Sequence, residues 1–354
     1  MEQMAFRFQT EGTPVECIPF GNGHINRTFQ IKTDAGKSYI LQRINRFVFK
    51  DPVGVVKNAD AVTSFIRSKG QVALRFLKDQ EGQLCPCDPE GEYWRMYEFV
   101  EGFCMDSPES PEDFYQSALA FGRFQDLLAD FPADTLVETI PNFHNTPERY
   151  RQLKAAIAAD KAGRLAAVQA EVDFYLAQEE MGSRLQQMKE AGILPLRVTH
   201  NDTKFNNVLL DSDTHLPLCV LDLDTVMPGL SLYDFGDAIR SGACTGAEDE
   251  QDVSKISLDV GLFEKYAQGY LEAAPSLTDA EIEAFPLAAF TMTLECGSRF
   301  LADYLNGDEY FRVAYQEHNL VRCRTHIALV KDILRHFELL GQLVAQAKAK
   351  VRGS

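Results

Sequence analysis

No apolar run in the 354-residue sequence approaches the ~20 residues that a helix needs to cross a bilayer, so no membrane partner is expected. Basic residues are also scarce: 35 Lys and Arg face 52 Asp and Glu, a formal net charge of −17. Without clustered cations to release counterions from a phosphate backbone, nucleic acid is not an expected partner either. The N-terminal "MEQMAFRFQTEGTP" lacks the basic start and apolar centre of a signal peptide. Eight cysteines are scattered, and only Cys85 and Cys87 lie close, in "CPC". No second pair completes a zinc-ligand spacing. Cys219, Cys296 and Cys323 sit in apolar periodic stretches and read as small buried hydrophobes, which fits reduced thiols in a cytoplasmic protein. Repeats and low-complexity segments are absent.

What is present is an ordinary globular composition, 45% hydrophobic and 25% charged, in a chain long enough for two lobes. The first hundred residues are strand-rich: "VECIPF", "INRTFQIKT", "KSYILQRI" and "EYWRMYEFV" are separated by Gly-containing turns. Between them, Val55, Val56, Ala59, Val62, Phe65 and Ile66 recur at helical spacing until Gly70. After Gly102 helical patterns dominate, from "SPEDFYQSALAFGRFQDLLADF" through 146–190, then at about 250–273, 278–305 and 311–348. These patterns predict an α+β fold. A small β-rich lobe with one main helix covers 1–100, and a large, mostly helical lobe covers 101–354. Oligomeric state is not legible.

The stretch "VTHNDTKFNNVLLDSDTHLPLCVLDLDTVMPG" (198–229) interrupts the helices with two short β-rich runs. If "LRVTH" and "LCVLDL" are neighbouring strands, Asp202, Asn207 and Asp222 leave loop ends facing one cavity. All three offer oxygen, the donor that Mg²⁺ takes together with substrate phosphates. The order His-x-Asp-x-x-x-x-Asn, turn, apolar strand, Asp matches the division of labour in phosphoryl transfer: one Asp accepts a hydroxyl proton, while an Asn and an Asp hold metal. The plain alternative is that Asp and Asn populate turns for local hydrogen bonding. A metal-dependent hydrolase on the same carboxylates needs neither a glycine loop nor a separate sheet lobe.

"PFGNGHIN" (19–26), "YILQ" (39–42), "VTHNDTKFNN" (198–207), "LDLDTVMPG" (221–229), "DFGD" (234–237), "ECGSRFLADYL" (295–305) and "EHNLVR" (317–322) occur in order along the chain. Together they resemble the aminoglycoside-phosphotransferase-type kinases, which include choline and homoserine kinases, and within them the bacterial N-acetylhexosamine 1-kinases. The resemblance implies a protein-kinase-like fold that binds ATP and Mg²⁺. It also implies transfer of the γ-phosphate to the anomeric hydroxyl of an N-acetylated hexosamine. Another hexose, or a choline-like, homoserine or aminoglycoside acceptor, is the alternative within that class.

Carried over residue by residue, the resemblance makes Asp202 the catalytic base and Asn207 and Asp222 the metal ligands. Gly21, Gly23, Gln42, Glu98 and Val100 become nucleotide contacts. His24, Asp202, Arg299, Asp303, His318 and Asn319 become sugar contacts. His200 and Asp234 become structural braces. Asp224 either approaches a second metal or braces the loop, and Lys204 either meets phosphate or is an exposed lysine. One departure stands out: the lysine that kinases carry on the third strand is Gln42 here, followed by Arg43, and the helix offers Asp60 rather than Glu.

Overall fold

The computed structural model describes residues 2–21 and 25–353. It divides into two compact units. The first comprises Met1–Cys104, Leu127–Pro141 and Asn207–Pro228; the second comprises Met105–Asp126, Asn142–Asn206 and Gly229–Ser354. A single division at 100/101 cuts the sequence once, whereas compactness groups 127–141 and 207–228 with the first hundred residues.

In the first unit a short helix α1 (Glu2–Ala5) precedes strands β1 (Pro14–Pro19), β2 (Arg27–Thr33) and β3 (Ser38–Ile44). Helix α2 (Pro52–Ser68) follows, then β4 (Phe76–Leu77) and β5 (Tyr93–Glu98). The strands form one antiparallel sheet in the order β1-β2-β3-β5-β4. Period-two alternation sends Ile31, Tyr39, Leu41, Trp94 and Met96 into a core that also takes Met4 and Phe8 from the N-terminal segment. The same alternation places Thr28, Gln42 and Arg95 together on the other face, since Gln42 pairs with Thr28 on one side and Arg95 on the other. Asp51 caps α2 by accepting from Gly54 N at 2.9 Å, and Pro52 opens its first turn. Buried Asn58 of α2 donates to the carbonyls of Val137 (2.7 Å) and Val226 (2.9 Å), fastening both later segments to the helix.

The later segment carries a hairpin of β7 (Val208–Leu210) and β8 (Pro217–Val220). This corrects the expected pairing of "LRVTH" with "LCVLDL". Asp211 accepts from Thr214 N and Oγ1, both at 2.8 Å, so the intervening turn closes locally and β8 folds back on β7. Β-strand β6 (Arg197–Thr199) belongs to the second unit, and β9 (Met227–Gly229) ends where the two units' residues meet in sequence.

The second unit is helical: α3 (Pro111–Leu127), α4 (Thr146–Ala159), α5 (Gln169–Ala177), α6 (Glu179–Gly182), α7 (Arg184–Glu190), α8 (Ser231–Gly242), α9 (Val260–Ala273), α10 (Asp279–Glu283), α11 (Phe285–Asn306) and α12 (His318–Arg352). The expected helical run 146–190 is four helices, broken first at Asp160, whose φ is +36°. The helix expected at 278–305 is two, because Pro286 opens a new first turn. The last helix begins at His318 rather than 311, since Asp303 holds 309–311 in a loop. The helix expected from 250 begins at Val260, with Asp259 as its cap. No described helix is long and apolar enough to cross a membrane.

Candidate functional site

The loop after β6 is held from below by α8. Buried Asp234, in the first turn of α8, accepts from His200 N (2.9 Å), Asn201 N (2.7 Å) and Gln125 Nε2 (2.7 Å). Burial pushes its carboxyl up from the ordinary range, against the pull of His200 and these donors. Thr203 donates its hydroxyl to the Asp234 carbonyl at 2.6 Å and its N–H to Asp237 at 3.0 Å. His200 is fully buried, with its ring against Phe121 and Phe124 at 5.4 and 5.9 Å. His200 and Asp234 are therefore braces of the loop. Asn201 sits at φ +66°, a left-handed position that Asn tolerates and that turns the chain outward. The next residue, Asp202, keeps a partly exposed carboxylate, 3.0 Å from Lys204 Nζ. Lys204 is thus the ion-pair partner of Asp202, and that charge raises the lysine's pKa.

A second brace was not legible in the sequence. His144 bridges the Glu295 carboxylate (2.8 Å) and the Asn201 carbonyl (3.3 Å), while Thr146 donates to the other Glu295 oxygen at 2.8 Å. Burial alone would raise the Glu295 pKa; His144, with Arg149 and Arg299, overrides it and holds the carboxyl below its ordinary range. The partners are 151 residues apart, and no local pattern announces them.

In the first unit the β7–β8 hairpin brings Asn207 and Asp222 to one end. Leu221 N donates to the Asn207 carbonyl at 2.8 Å, just before exposed Asp222 with its φ of +52°. An amide and a carboxylate at the same end of one hairpin are oxygen donors of the type that Mg²⁺ takes. Asp224 is different. Both of its oxygens are engaged inside the unit, one by buried Arg95 and the other by Asn26 Nδ2 at 2.6 Å. It braces the network from within the unit.

The same network occupies the position of the missing lysine. Gln42 donates to Thr28 Oγ1 at 3.0 Å and accepts from Arg95 Nε at 2.8 Å. The cation next to Gln42 is Arg95, from β5. Asp60 accepts from Ser64 Oγ at 3.4 Å and plays no part in this network. A mid-strand arginine between Trp94 and Met96, facing away from their core, was the available signal. Gly21 has φ +71°, as a tight turn requires. Gly23 and His24 lie outside the described residues. Glu98 ends β5 and pairs with Arg75 at 3.5 Å, and half-buried Val100 follows it.

Arg299, on α11, is half-buried beneath three rings: Phe311, Phe143 and Tyr310, at 5.4, 5.5 and 5.8 Å from the guanidinium carbon. Among the described residues no hydrogen bond or ion pair engages its N–H groups. Asp303, Asn319 and His318 are engaged with the protein. Asp303 accepts from Glu309 N (3.0 Å), Tyr310 N (2.8 Å), Phe311 N (2.9 Å) and Asn319 Nδ2 (2.9 Å). His318 Nδ1 accepts from Ala314 N at 3.1 Å, and its Nε2 meets Asp249 at 3.1 Å. These three groups hold the loop that sets Tyr310 and Phe311 on Arg299.

Residues 16–275 match the model of the family described as "Phosphotransferase enzyme family". The structure is similar to an aminoglycoside phosphotransferase from Alicyclobacillus acidocaldarius at 13% identity and TM-score 0.64, covering 94% of this chain and 93% of that one. It is also similar to an amicoumacin kinase in complex with AMP-PNP and Ca²⁺, at 13% identity and TM-score 0.61, covering 92% and 91%. A choline kinase from Cryptosporidium parvum matches at 14% identity and TM-score 0.56, covering 94% and 92%. At these identities the likeness is one of fold, the protein-kinase-like α+β arrangement. The family match spans most of the chain and takes in the Asp202 loop, the Asn207–Asp222 hairpin and the braces Asp224, Asp234 and Asp237; the protein belongs to the phosphotransferase enzyme family.

Proposed function

We propose that the protein is an ATP- and Mg²⁺-dependent kinase that phosphorylates the anomeric hydroxyl of an N-acetylated hexosamine, giving the sugar 1-phosphate and ADP. Asp202 accepts the proton of the acceptor hydroxyl. The freed oxygen attacks the γ-phosphorus, and the bond from that phosphorus to the ADP oxygen breaks. Asn207 and Asp222 are the ligands for Mg²⁺, which when bound neutralises charge on the phosphates. Gly21, Gly23, Gln42, Glu98 and Val100 serve the nucleotide. His24 and Arg299 contact the sugar, while Asp303, His318 and Asn319 hold the loop above Arg299. The fold neighbour bound to AMP-PNP and Ca²⁺ supports a nucleotide and a divalent ion as ligands.

The observation that carries the acceptor reading is Arg299. A guanidinium without a protein acceptor among the described residues, ringed by aromatics, suits a neutral, oxygen-rich ligand that stacks and accepts hydrogen bonds. An ammonium-bearing acceptor such as choline or an aminoglycoside would meet a like charge there. ADP release measured over N-acetylhexosamines, plain hexoses, aminoglycosides and choline tests this. N-acetylhexosamines should give the highest kcat/KM; turnover with choline or an aminoglycoside and none with the sugars would refute it.

A further inference from the structure

Outside the groups already assigned, one cluster in the second unit combines three different metal-ligand types. Glu248 follows α8, Cys296 lies on α11 and His326 on α12, and one ligand atom from each falls within 4.8 Å of the others. The two helices can approach this closely because of Gly297: a Cβ there would lie 2.5 Å from the His326 Cβ. His326 Nδ1 lies 2.8 Å from the Arg322 carbonyl, an acceptor only, so Nδ1 carries hydrogen and Nε2 presents a lone pair. A carbonyl fixing the far nitrogen is the usual second partner of a metal-bound histidine. Glu248 is oriented by Arg240, which donates to it at 3.0 Å and to Asp237 at 2.9 Å. Glu248 and His326 also line a cavity of about 230 Å³, bounded by Lys204, Arg240 and Thr325, that leaves room for water as a further ligand.

We propose that Glu248, Cys296 and His326 form a binding site for a thiophilic divalent cation of the zinc class. Sulfur, nitrogen and one carboxylate oxygen, with an open fourth position, are the donor set such ions take in four-coordinate sites. The ion's two charges are matched by Glu248 and the Cys296 thiolate, and Arg240 pairs with Asp237; Arg322, 3.9 Å from Glu248, and Lys204 are further cations that face the site. The thiol proton leaves to solvent as the sulfur–metal bond forms. The oxygen-only pair Asn207 and Asp222 is a different kind of site, so this proposal stands whether or not the reading of that pair holds.

Cobalt reports the ligands directly. The full chain, stripped with a chelator and titrated with Co²⁺, should develop a near-ultraviolet thiolate-to-cobalt band at one equivalent, bleached by Zn²⁺. Cys296→Ser, a one-atom change, should abolish the band while leaving the thermal melt of the metal-free protein unchanged. His326→Ala and Glu248→Gln should each weaken Co²⁺ binding roughly tenfold or more. Cys87→Ser with Cys104→Ser, both exposed thiols, should keep the band. A wild-type protein with no band, or a band that survives Cys296→Ser or disappears with Cys87 and Cys104, overturns the site.

Discussion

The roles proposed for Asp202 and Arg299 are of two different kinds, and single substitutions separate them. Asp202 is partly exposed, on a loop whose neighbouring residues are tied down by Asp234 and Asp237. Asp202→Asn removes the proposed proton acceptor and leaves those ties intact. Its kcat should fall about 10²–10⁴-fold, with the melting temperature and nucleotide affinity unchanged. Activity within a few-fold of wild type would remove Asp202 from the chemistry. Arg299→Ala instead removes donors that have no partner among the described residues. Unpaired acceptors on a bound sugar cost ~1–3 kcal/mol, so the sugar KM should rise roughly five- to 150-fold while the ATP KM moves little. Separate titrations of the two substrates check this, and a rise in the ATP KM alone would displace the proposed acceptor contact.

At the scale of elements, the strand leading into the Asp202 loop depends on one buried carboxylate. Glu281 caps α10 through a reciprocal pair with Thr278, and it also accepts from Arg197 of β6 at 2.6 and 2.7 Å and from Ser231 of α8 at 2.6 Å. Burial would raise its pKa; Arg197, Ser231 and the Thr278 N–H together hold it below the ordinary 4.5. A depressed carboxyl contributes stability that is present above the unfolded value near 4.5 and lost as pH falls through the lower folded value. Glu281→Gln leaves Arg197 without its counter-charge, so it should destabilise the protein at neutral pH by about 3–5 kcal/mol. Its stability should also decline less steeply than wild type as pH drops below about 4.5, which denaturant titrations across that range would read. An equally steep acid limb in both proteins would show that another carboxylate dominates.

Across the whole molecule, what was legible in the sequence followed from short-range rules. Period-two alternation marked the β1, β2, β3 and β5 strands, and 3.6-residue spacing marked α2 and the later helices. The order of Asp202, Asn207 and Asp222 along the chain pointed to the family to which the protein belongs. Partners supplied by distant segments were not legible. Asp303 holds 309–311 out of the last helix, Arg95 takes up the side chains of Gln42 and Asp224, and His144 reaches Asn201 from 57 residues away. Cys296 shows the same limit: its apolar surroundings marked it as a core thiol, and only the packing of α11 on α12 sets it beside His326.

Phosphorylation at C1 removes the reducing end of a sugar, whereas phosphorylation at any other hydroxyl leaves it. ADP release and loss of reducing ends, followed together with N-acetylhexosamine, ATP and Mg²⁺, therefore test donor, acceptor and position in one measurement. Wild-type protein should release one ADP for each reducing end lost, and Asp202→Asn should do neither at a comparable rate. ADP release with the reducing ends intact would contradict the anomeric assignment, and no sugar-dependent ADP release at all would contradict the proposed sugar kinase activity.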